Sequence, residues 1–167
     1  MLKLKSMFEK LKPLFIDYCD GLETFTNLRA EEVFDGGMDI NVGFYLDKDD
    51  GYATARTSVK VYRSIEDISL TFSQLFGLFS RGDINELRFT QAQVIGFARK
   101  YYEWLKTDYG SVTFFLCKSR KHFLIAHTFF NASALLRLGG IVPFGDDTVY
   151  NFAKGKCRVV IPRLVKK

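Results

Sequence analysis

The residues with the chemistry for catalysis or metal binding are few in this chain: two histidines, three cysteines and carboxylates scattered without evident pairing. His122 and His127 are five apart in a stretch that reads as a β-strand, so a period of two sends them to opposite faces, where they cannot share a metal without a bulge. Cys19, Cys117 and Cys157 lack the Cys-x-x-Cys companion of a zinc site, and buried cysteine commonly serves as a small hydrophobe. Asp47, Asp49 and Asp50 precede Gly51 as in a calcium loop. With Gly51 as the sixth loop position, however, the first and third fall on Leu46 and Lys48, which carry no carboxylate. Arg81-Gly82-Asp83 reads as the close of a helix. The phosphate loop, the dinucleotide-binding glycine pattern and the nucleophile elbow have no counterpart in the sequence. His127 with Asp146 or Asp147 is the one combination an enzyme could use, and the weight falls on a non-enzymatic protein with no catalytic residue, metal or cofactor.

Charge is more informative. Lys and Arg total 24 against 19 Asp and Glu, a formal +5, yet residues 1–83 carry −4 and residues 84–167 carry +9. In the basic half the cations gather at Lys118, Arg120 and Lys121, at Lys154, Lys156 and Arg158, and at Arg163, Lys166 and Lys167. Hairpin tips and strand ends of one sheet often lie near each other. The expectation is a basic surface on which each Lys or Arg displaces counterions from a phosphate backbone, with nucleic acid or an acidic protein as partner. The alternative is a protein-interaction or homo-oligomerisation module without a nucleic-acid role, in which the acidic and basic halves attract each other across an interface.

The 167 residues, 47% of them apolar, suit one domain with a sizeable core, and 17 Phe exclude a disordered chain, which lacks the aromatic mass to offset ordering entropy. An odd number of cysteines fits a reducing compartment. Charges interrupt the first residues too often for a signal-peptide apolar region, and no uncharged stretch reaches the roughly 18 residues of a spanning helix. We therefore expect a cytoplasmic protein without membrane association, in which the lysines flanking the N-terminal apolar arc border a helix docked on protein.

Elements must position this surface. Leu4, Met7, Phe8, Leu11, Leu14, Phe15 and Tyr18 share a helical face, which predicts a helix over the first ~18 residues, kinked or restarted at Pro13. Residues 20–39 fit neither period. Ile40 to Leu46 and Ala53 to Val61 alternate about an Asp-rich turn, a hairpin with Ala53, Ala55, Thr57, Val59 and Val61 facing the core. Ser64 then caps a second helix bearing Ile65, Ile68, Phe72, Leu75, Phe76 and Phe79, and Thr90 with Gln93 forms a capping box for a third. Val112 to Cys117 and Phe123 to Phe130 form a second hairpin, apolar on both faces and so central in its sheet. Further strands fall near 135–142, 148–153 and 157–164, with Pro162 at an edge or a strand end. Val42–Lys48 and Val112–Lys118 match at Val, Phe, Leu and Lys, a faint hint of a duplicated helix-plus-hairpin unit that two central strands drawing the same residues explain better. The fold class is α+β: one domain over residues 1–167, about three helices packed on a largely antiparallel sheet of five to seven strands.

Overall fold

The β-branched and aromatic runs of the second half form the middle of a sheet, as apolar residues on both faces of a strand require. The computed structural model describes residues 6–22, 52–107, 112–119, 122–130, 136–143 and 148–163. Six strands lie side by side in the order β1 (Phe8–Lys10), β3 (Thr57–Ser64), β10 (Cys157–Pro162), β6 (Val112–Ser119), β7 (His122–Phe130) and β8 (Leu136–Pro143). Short β2 (Leu14–Ile16) adds to β3 and short β5 (Arg88–Phe89) to β6, while β4 (Ile68–Leu70) and β9 (Tyr150–Phe152) pair as a separate ribbon. β6 runs parallel to both β10 and β5, whereas the other pairs are antiparallel, so the α+β sheet is mixed.

Two of the three expected helical regions are present among the described residues: α1 (Phe72–Gly77), and α2 (Gln91–Lys100) with its continuation α3 (Tyr102–Thr107). The expected N-terminal helix is replaced, beyond helical Ser6 and Met7, by β1 and β2. The same apolar spacing serves both states. As strands, Phe8 enters one core while Ile16 enters the other, and the Leu11 amide donates to the Val61 carbonyl at 2.8 Å. Pro13, which has no amide to donate, falls in the break between the two strands.

The second helix starts at Thr71 and not at Ser64. Ser64 ends β3, buried, with its hydroxyl accepting the Cys157 amide at 3.3 Å, and Ile68 lies in β4. Thr71 and Gln74 exchange capping-box bonds of 3.1 and 3.0 Å. Thr90 and Gln93 make the same pair of bonds, as expected, and the helix they open breaks at Tyr101 (φ −108°, ψ 26°). In the β3 region Val59 and Val61 are buried as expected, while Ala53 and Ala55, expected inside, are exposed ahead of the strand. Pro162 ends β10, opposite Val59. The expected strand Ile40–Leu46, its Asp-rich turn and the Val42–Lys48 match lie outside the described residues.

The sheet separates two aromatic-rich cores. On the α2 face Phe97 meets the rings of Tyr101, Phe115 and Trp104 at 4.9, 5.3 and 6.2 Å, above Ile16, Val59, Val61 and Val160. On the α1 face Phe114 lies 5.3 Å from both Phe72 and Phe152, among Phe76, Leu116, Val159 and Ile161. β6 thus alternates Phe114 and Leu116 to one core with Phe115 and Cys117 to the other. Among the described residues no helix is long and apolar enough to cross a membrane.

Candidate polyanion-binding surface

The basic residues singled out by sequence are distributed along β10 and β6, and the strand directions separate them. Lys154 and Lys156 are exposed in the turn before β10, where Gly155 takes φ +77° and the Lys154 amide donates to the Asp67 carboxylate at 2.7 Å. Arg163 is exposed beyond the other end of β10, its amide donating to the Ser58 carbonyl at 2.9 Å. Six residues at ~3.3 Å each put roughly 20 Å between these groups. Because β6 and β10 run parallel, Lys118, one residue before the end of β6, lies at the Arg163 end of the sheet. Arg120 and Lys121 lie outside the described residues. Arg158 is not on the surface: it is 1% exposed, with its guanidinium 4.7 Å from the centre of the Trp104 ring. The physical reason is its strand. A central strand covered on both faces has no side left for solvent, so a charged residue there must go inside.

The Arg163 end gathers further cations from the acidic half of the sequence. Lys10 stands opposite Tyr62 and Lys60 opposite Ile161, and the bond from Arg163 to Ser58 continues that register. Partners across antiparallel strands share a face, and residues two apart along a strand share it too. Lys10, Lys60 and Arg163 therefore all belong to the α1 face, on three neighbouring strands. The six residues of α1 span only ~9 Å, less than half the length of β10, and Arg81 follows shortly after the helix. Lys10, Arg81 and Arg163 are exposed and Lys60 is half-buried. The Lys60 ammonium is held below its ordinary pKa, chiefly by burial and then by repulsion from Lys10, Arg81 and Arg163. Beside them Tyr62 packs on Phe79 with ring centres 4.9 Å apart, and burial pushes its hydroxyl pKa up.

Cations elsewhere are matched differently. Arg63, opposite Glu9 and so on the α2 face, donates to the Glu9 carboxylate at 2.9 Å through Nε, and Lys100 pairs with Asp17 at 2.9 Å. From sequence, Lys10 reads as a flank of the N-terminal apolar arc and Arg81 as the close of a helix, and Lys60 passes unnoticed, all in the half whose net charge is negative. The available signal was the alternation of β3, which puts Lys60 in step with Tyr62 and Ser64.

The combination an enzyme could use gains no geometry here. His127 lies within β7, opposite Phe114 of β6 and Gly139 of β8, and Asp146 and Asp147 are outside the described residues. A cleft of about 430 Å³ lies between residues 17–20 and α2, bordered by Asp17, Cys19, Asp20, Gly96, Arg99 and Lys100. Its acidic and thiol groups do not converge as ligands: among the described residues no three His, Cys, Asp or Glu side chains could hold a metal ion. Cys117 and Cys157 are buried, and burial pushes the Cys157 thiol up to about 12, away from the thiolate a nucleophile needs. Comparison with protein-family models, with curated proteins and with solved structures finds no match, so the function has to be read from this chain's own chemistry.

Proposed function

We propose that this chain is a non-enzymatic binding protein that holds a phosphate-bearing polyanion, a nucleic acid, across the end of the α1 face, with Lys10, Lys60, Arg81 and Arg163 as its contacts. One observation carries the reading: the register of three adjacent strands puts Lys10, Lys60 and Arg163 on one face at one end of the sheet, where burial and then repulsion from Lys10, Arg81 and Arg163 disfavour the charge on Lys60. Crowding like charges costs stability, and a chain of phosphates removes that cost while releasing its own counterions. Lys118 stands at the same end of the sheet, on β6, whereas Lys154 and Lys156 lie at the opposite end and Arg158 is core.

The test is fluorescence anisotropy with a labelled single-stranded oligonucleotide across a salt series. Single strands lose about 0.7 of a unit of log K per log salt for each phosphate neutralised, so removing three contacts should flatten the slope by roughly 2. The triple variant Lys60→Gln, Arg81→Gln, Arg163→Gln is expected to show that loss and to bind at least ~10-fold more weakly at low salt, while Lys154→Gln with Lys156→Gln leaves both nearly unchanged. No binding at low salt, or equal losses in the two variants, would overturn the reading.

A further inference from the structure

Among the described lysines, Lys60 stands apart in its surroundings. It is half-buried at the middle of its cation group, between Lys10 on the β1 side and Arg163 on the β10 side, with Arg81 arriving after α1. The neighbours that repel its proton are themselves exposed. Glu9 and Arg63, the charged pair nearest along these strands, belong to the opposite face, and Tyr62 holds its proton more firmly than usual. An amine set among neighbouring cations, which ease the loss of its proton, is the arrangement that favours a lysine nucleophile. The same cations attract small phosphorylated molecules.

We propose that Lys60 is a modification site, acylated by phosphate-bearing acyl donors such as acyl phosphates, which Lys10, Arg81 and Arg163 recruit to it. The lone pair of Nζ attacks the acyl carbon, forming the amide C–N bond. The C–O bond to the phosphate breaks, inorganic phosphate leaves with its electron pair, and the surplus amine proton goes to solvent or to that phosphate. Nothing is oxidised or reduced. Acylation removes one positive charge from the surface. The inference uses the same residues as the proposed polyanion site but does not require that a polyanion binds there.

The probe is acetyl phosphate, with initial acetylation rates read lysine by lysine by mass spectrometry on the full chain at mildly alkaline pH. Lys60 is expected to react about threefold or more faster than exposed Lys154, since a cationic surface raises the local concentration of an anionic donor. The advantage should shrink with added salt, and it should be smaller with uncharged N-hydroxysuccinimidyl acetate. Arg81→Gln with Arg163→Gln, both exposed positions, should slow Lys60 and leave Lys154 unchanged. Equal rates at Lys60 and Lys154 in the unmodified protein, or an advantage indifferent to salt, would overturn the assignment whether or not oligonucleotides bind. Preferential acetylation of Lys60 without oligonucleotide binding would uphold it and overturn the polyanion reading alone.

Discussion

The two faces of the sheet treat the same kind of residue in opposite ways. On the α2 face, α2 and α3 together run along sixteen residues, and Arg158 beneath them is sealed against Trp104. On the α1 face a helix of six residues shares the covering with the β4–β9 ribbon and Leu87, and Lys60 stays half-buried among other cations. The difference teaches that a cation's place relative to the elements covering its strand, more than its charge, decides whether that charge becomes part of the core or part of a surface. A buried guanidinium needs partners that replace water, while an exposed cation group needs only a mobile counterion or a ligand.

The largest expected effect comes from the α1 core. Cys157 keeps its proton to about 12 in the folded chain against an ordinary 9.0, because burial outweighs the opposing pull of Arg158. The unfolded chain therefore loses this proton first, and stability should fall as pH rises from 9 to 12, by about 1.4 kcal/mol per unit while only one state is ionised. Urea titrations at several alkaline pH values should show a steeper decline for the unmodified protein than for Cys157→Ala; parallel declines would mean the thiol is not sealed in that core. Next, Arg158→Ala should cost about 3 kcal/mol in the same measurement, through lost packing and the lost contact with Trp104. A cost below ~0.5 kcal/mol, the range of ordinary surface changes, would place Arg158 on the surface and erase the contrast between the faces.

The two capping boxes offer a matched pair. Thr90 is buried and Thr71 is not, although their bonds have the same lengths. Removing a cap in the core leaves the Gln93 amide without water, so Thr90→Ala should cost about 2 kcal/mol and Thr71→Ala about 0.5. Equal costs would show that burial does not distinguish them. The smallest effect belongs to Lys60→Gln, which relieves repulsion at a partly solvated site and should raise stability slightly, by no more than about 0.5 kcal/mol. A clear loss would mean that Lys60 is anchored as Arg158 is.

Much of the fold could be read from local pattern. The Thr90–Gln93 box, the two-sided apolar character of β6 and the ending of β10 at Pro162 all follow from side-chain chemistry within a few residues, which is the range over which periodicity and capping act. The N-terminal strands could not be read that way. Leu11, Leu14 and Phe15 satisfy a helical arc, and only the unpaired edge of β3 makes extended backbone the better state, because its hydrogen bonds come from residues some fifty positions away. Thr71 and Gln74 carried the same signature as Thr90 and Gln93, but Ser64 offered an earlier cap, and the pairing of β4 with β9 decided against it.

By itself the sequence determined that the chain has aromatic mass for a filled core, helices and strands in one domain, and positive charge concentrated in its second half. Tertiary structure decided which charges meet. It put Arg158 inside, separated Lys154 and Lys156 from Arg163 by the length of a strand, and brought Lys10, Lys60 and Arg81 from the acidic half to Arg163. Net charge is a sum over sequence, whereas the potential felt by a ligand depends on distance, and strand pairing sets those distances between residues that the chain order keeps far apart.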